Sequence, residues 1–178
     1  MNNQAEVTHI LSYLNTWEIP NKERIPRDHL LTHQDVTDYA YDTIGMKRNT
    51  DDFKDVIQLR DELREMIDSK NVDSLNKWVQ KREIHFHVTT KDTKPYYDLS
   101  FCSNEDSLVN NMIIYMLVVI RNGVFHRIKI CPDCKWAFYD ESKSGTKKWC
   151  SMNANSETGR ACGTISKVRR YREKRKTE

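Results

Sequence analysis

Four of the five cysteines in this 178-residue chain have a spacing suited to holding one metal ion. Cys131 and Cys134 form a Cys-x-x-Cys turn, Cys150 follows after 15 residues, and Cys162 after 11 more. Such a turn lets two thiolates converge on one tetrahedral ion, with the intervening amides pointing at the sulfurs. The first two gaps match structural zinc sites, and the last is wider than the usual ~2–4 residues. The intervening tract 153–159 is polar and able to loop out without disturbing either ligand. The alternatives are disulfides, buried free thiols and a redox-active pair. Nothing in the sequence suggests secretion, and no thioredoxin-like βαβ pattern surrounds the turn. Four thiolates leave no open coordination position, so the expected cofactor is one structural Zn2+.

A second chemistry begins directly behind Cys162 and Gly163. Lys167, Arg169, Arg170, Arg172, Lys174 and Arg175 crowd a basic run that ends at Lys176. Ile165, Val168 and Tyr171 recur three apart, which predicts a helix with a narrow apolar stripe against the zinc module. A basic helix anchored at its N-terminal end suits contact with phosphates, the alternative being a solvated tail. Lys143, Lys147 and Lys148 extend the same basic character. Residues 1–120 carry 14 Lys/Arg against 20 Asp/Glu, giving −6, whereas residues 121–178 carry 15 against 6, giving +9. An acidic body joined to a basic module fits a module that meets a polyanion.

The body that must position this module reads as helical. Val7, Ile10, Leu11, Leu14 and Trp17 predict a first amphipathic helix over about residues 6–16. Pro20 and Pro26 punctuate an irregular stretch, 17–31, expected to pack over something. Thr32 and Gly45 bracket a second helix as cap and stop, with Asp35 in its first turn. The run 49–52 places two carboxylates at the start of a third, which continues to about Ser69, and a shorter fourth spans about 73–82. Residues 84–88 and 97–101 alternate as the strands of a β-hairpin with one face covered by helices. His85 and His87 share the other face, either as solvent-facing residues or as a metal or catalytic pair, and no third ligand is apparent beside them. Cys102, at the end of the second strand, reads as a core residue. Residues 112–120 are apolar all round and predict a buried central helix, being far short of the ~20 residues that span a membrane.

These elements predict a mostly α chain with a small β-hairpin (α+β). A helical domain over 1–124 precedes a treble-clef-like zinc module over 125–178. The absence of a signal peptide or membrane span points to the cytoplasm, and the absence of a phosphate loop, hydrolase elbow or open metal site argues against an enzyme.

The C-terminal segment resembles the CGNR zinc-finger family. The resemblance rests on Cys131-Pro132-x-Cys134-x-Trp136-x-Phe138-x-Asp140, on 149–152, and on Cys162-Gly163 followed by 167–171. The N-terminal region is similar to the ABATE domain that precedes such fingers, with Leu14, Asn15, Thr16 and Trp17 matching its early motif. The resemblance implies a stress-related transcription regulator whose finger binds duplex DNA. Two departures stand out: the third and fourth cysteines are further apart, and Thr164 and Ile165 replace the family's Asn-Arg. Thr164 can still cap a helix, whereas Ile165 cannot contact phosphate.

The expected function is therefore a DNA-binding regulator whose body forms a homodimer or senses a small-molecule effector. The alternative is a zinc-stabilised adaptor for protein or RNA. Asn15, Thr16 and Trp17 are the candidates for lining an effector pocket, unless they only cap and pack the first helix.

Overall fold

The computed structural model describes residues 4–20, 23–94, 96–152 and 160–175. In chain order its elements are α1 (Gln4–Leu14), β1 (Trp17–Glu18), β2 (Arg27–Asp28), α2 (His33–Ile44), α3 (Phe53–Ser69) and α4 (Asp73–Lys81). Then come β3 (His85–Thr90), β4 (Tyr97–Cys102), α5 (Leu108–Arg121), a 3-10 turn (Phe125–Arg127), β5 (Ile128–Ile130), β6 (Ala137–Tyr139) and α6 (Cys162–Lys174). The strands pair antiparallel as β1–β2, β3–β4 and β5–β6, so the architecture is α+β with helices dominant.

Capping chemistry sets several helix ends. Thr32 accepts from the Asp35 amide while the Asp35 carboxylate accepts from the Thr32 amide, a complete capping box, and Gly45 closes α2 at φ 68°. Asp52 caps α3 through the Lys54 amide. Its neighbour Asp51 does not serve the same helix: it is buried, accepts from the Val109 amide at 2.9 Å and pairs with Arg82 at 3.1 Å. Together with Asn49, which accepts from the Leu108 amide, it satisfies the start of α5.

The core lies between α1, α3 and α5, where Ile10, Leu14, Leu59, Leu63, Met112 and Met116 are fully buried. α5 contacts α1, α3, α4, β4 and the 3-10 turn, as expected of a central helix. It is not buried all round, because Tyr115, Leu117 and Val118 are only half-buried and Ile120 is exposed. Ile128 of β5 and Ala137 of β6 belong to this same core, so the hairpin that carries the first cysteine pair is seated on the body.

Other expectations for the body need correction as well. The stretch 17–31 is not wholly irregular, since it contains the β1–β2 pair, and Asp28 in it grips the buried guanidinium of Arg60 at 2.7 and 2.8 Å. Trp17 lies in β1 rather than on the buried face of α1, because the helix stops at Leu14. The β3–β4 hairpin lacks the cover predicted for its apolar face: β3 is exposed along its whole length, with Phe86 and Val88 each 65% exposed. Cys102 is half-exposed rather than part of the core.

Candidate metal centre

Local backbone chemistry builds the first half of the centre. β5 delivers Cys131, the chain turns through Pro132 and Asp133, and Lys135 takes a left-handed conformation at φ 61° so that the chain re-enters as β6. The turn is closed by the Cys131 amide donating to the Trp136 carbonyl at 2.9 Å and the Lys135 amide donating to the Cys131 carbonyl at 2.9 Å. Cys150 arrives from a loop, residues 147–150 forming no strand. Cys162 is the first residue of α6. The order of turn, hairpin and ligand-bearing helix is the one expected of a treble-clef-like module.

The sulfurs of Cys131, Cys134, Cys150 and Cys162 all lie within 4.8 Å of one another, three of the residues being buried. Cys134 and Cys150 are 3.5 Å apart, and Cys150 and Cys162 3.8 Å. A tetrahedral ion with metal–sulfur bonds of ~2.3 Å sets its sulfurs ~3.8 Å from one another, whereas a disulfide needs ~2.05 Å. The four are free thiols, and the donor set fits one zinc ion. Their electrostatics agree. Hydrogen bonds from Cys134 and then Cys150 hold Cys131 far below the usual thiol range. The bond to Cys131 pushes Cys134 up, and burial followed by the Cys131 charge pushes Cys162 up. Sulfurs packed this closely repel one another when ionised, and a dication removes that conflict.

Asp140, fully buried at the end of the hairpin, organises the loop toward Cys150. It accepts from Lys129 Nζ at 2.6 Å, from the Ser142 amide at 3.0 Å and hydroxyl at 2.5 Å, and from the Lys147 amide at 2.8 Å. Burial works against its charge, but these donors hold its carboxyl well below the usual range. Asp133 is held low by Arg160, 2.5 Å away and two residues before Cys162, so an ion pair joins the first cysteine turn to the approach to α6.

The body grips the turn through its main chain. Asn15 donates to the Ala137 carbonyl at 2.9 Å and accepts from the Ala137 amide at 2.8 Å, acting as a one-residue strand partner for β6. Arg64 donates to the Lys135 carbonyl and to the Leu14 carbonyl, and its guanidinium lies 4.8 Å from the Trp17 ring centroid. Burial and the neighbouring Arg60 push Arg64 down to about 10, which leaves it charged at neutral pH. Arg24 donates to the Asp133 carbonyl at 2.7 Å. The roles of Arg24 and Arg64 leave no mark in the sequence, because their targets are backbone atoms.

Asn15 and Thr16 also line a cleft of about 800 Å³ between α1 and the finger, together with Tyr39, Trp136, Phe138 and Lys147. Trp17 lies outside that lining, beneath Arg64. Thr16 additionally closes α1 through the Tyr13 carbonyl and receives Arg60 at 3.3 Å.

α6 leaves the centre as a projection. Gly163 and Thr164 fix its first turn, the Gly163 amide donating to the Ser151 carbonyl and the Thr164 hydroxyl to the Met152 carbonyl. A Cβ on Gly163 would lie 2.0 Å from Met152 Sδ, so glycine lets Met152 cross the start of the helix. Lys167, Arg169, Arg170, Arg172, Lys174 and Arg175 are exposed, and Lys176 lies outside the described residues, as does the tract 153–159. The predicted packing of the whole apolar stripe is not observed among the described residues: Ile165 is half-buried, but Val168 and Tyr171 are 43% and 61% exposed.

No described helix is long and apolar enough to cross a membrane. No curated protein matches the chain. Residues 127–175, from the turn before β5 to the end of the basic helix, match the family model of the CGNR zinc finger.

Proposed function

We propose that this protein is a cytoplasmic DNA-binding regulator in which a structural zinc centre presents α6 to the phosphates of duplex DNA. The observation that carries the reading is the state of α6. Its first two residues are buried in the finger, while every side chain over 167–175 is exposed and six of the nine are Lys or Arg. Four thiolates complete the tetrahedral shell of a zinc ion, so the metal's part here is to hold that helix, and catalysis has no place in the proposal. The cleft beside Asn15 and Thr16 is where a small-molecule effector would touch body and finger together. The exposed Val168 and Tyr171 favour a second reading, in which a protein or RNA partner covers the helix.

The test is titration of labelled duplexes with the zinc-loaded protein over a range of salt. If about five side chains neutralise phosphates, log affinity falls with log salt at a slope of about −4.5, and replacing Arg169 and Arg172 by Ala brings the slope to about −2.7. Selection from random duplexes that enriches a motif separates the regulator from the adaptor. A flat salt dependence overturns both nucleic-acid readings.

A further inference from the structure

The β3–β4 hairpin carries a set of metal-binding side chains that the zinc finger does not use. Its register pairs His85 with Cys102 and His87 with Ser100, and alternate residues of a strand share a face. His85, His87 and Cys102 therefore stand on one face of the hairpin. Cys102 Sγ and His87 Nε2 are already 3.0 Å apart, and Cys102 is a free thiol. Directly opposed residues of an antiparallel pair have Cβ atoms ~4.5–5.5 Å apart, so His85, whose ring does not converge with the other two as placed, would need only a change of rotamer to approach the same sulfur.

We infer that His85, His87 and Cys102 bind a second, exchangeable divalent cation of the Zn2+ class, separate from the four-cysteine centre. Two imidazoles and a thiolate suit a borderline-soft ion and are poor ligands for Mg2+ or Ca2+. Three protein ligands leave a fourth position open to water, unlike the closed four-thiolate set. Exposure of all of β3 makes the site accessible and its ion weakly held beside that of the finger. The ion also has a structural effect to exert. β4 rests on α5 but β3 is exposed and held by β4, so a cation shared by β3 and β4 cross-links a pairing that is marginal in water by itself. This inference is independent of whether α6 binds DNA.

Equilibrium dialysis of the full chain against micromolar free Zn2+, followed by elemental analysis, tests it. The expected result is two Zn2+ per chain in the wild type and one in each of Cys102→Ser, His87→Gln and His85→Gln. The retained first equivalent reports that each variant is folded. Hydrogen exchange across β3 and β4 should slow on addition of the second equivalent in the wild type alone. A wild-type stoichiometry of one overturns the inference. So does a second equivalent that survives Cys102→Ser or His87→Gln, and one that survives only His85→Gln overturns the three-ligand set.

Discussion

At the scale of single residues, the informative groups are polar ones held inside the protein. Arg60 is 1% exposed and survives there because Asp28 takes two of its donors and Asp61 and Thr16 take others. Burial disfavours the Asp28 charge, but the Arg60 hydrogen bonds outweigh it and hold the carboxyl below its ordinary value. A carboxyl that titrates lower when folded gives stability that is complete above the unfolded value of ~3.9 and is lost as pH falls toward the folded one. Acid should therefore weaken the body through this pair. Thermal midpoints taken below about pH 4.5, with chelator present so that zinc release does not contribute, should fall less steeply for Asp28→Asn than for the wild type. Equal slopes would remove Asp28 from the acid response. Asp140 shows what the sequence hides at this scale. It ends the run that carries the family resemblance, yet its four donors, from 129 to 147, meet only when the loop is folded.

At the scale of elements, what was legible is what is local. The Thr32 cap of α2, its Gly45 stop and the acidic start of α3 follow from residues within one turn of each helix end, and the structure has them. Less legible was anything decided by a neighbour. Asp51 leaves its own helix for α5, the apolar face of β3 finds no cover, and most of the stripe on α6 finds none. Asn15 is the clearest case, because an amide side chain that completes β6 carries no periodicity. Asn15→Ala leaves both polar groups of a buried Ala137 without that partner, at a cost of about 2 kcal/mol. For a chain of this size that lowers the melting temperature by roughly 4–8 °C. Asn15→Asp, which keeps the acceptor but sets a carboxylate oxygen against the Ala137 carbonyl, should cost at least as much. Unchanged midpoints for both variants in the zinc-loaded protein would show that Asn15 does not dock the finger.

For the whole molecule, the finger has two supports of different kinds. Its sulfurs gather Phe138, Trp136 and Trp149 into a small core of their own, whereas Ile128 and Ala137 sit in the core of the body. The four ligands were legible because thiols at this spacing have few other uses, while the shared core was not, since Ile128 and Ala137 look like any strand residues. Chelation should accordingly act unevenly. Hydrogen exchange should accelerate over residues 131–135 and along Cys162–Lys174, remain slow in α1, α3 and α5, and change least within the finger over Ile128–Ile130 and Ala137–Tyr139. Uniform acceleration across body and finger would instead mean that zinc supports the entire fold.

Among the described residues α6 is held to the finger at its first turn, and a helix held at one end is a lever. Thirteen helical residues extend ~20 Å, so a tilt of ~10° at Cys162 carries the far end through ~3.5 Å, about the rise of one base pair along a duplex. Small changes at the fulcrum, where Asn15, Arg64 and Arg24 grip the main chain over 133–137, are thereby multiplied at the tip. In the proposed complex, aim would be set at the base of the finger, by contacts that never meet the DNA.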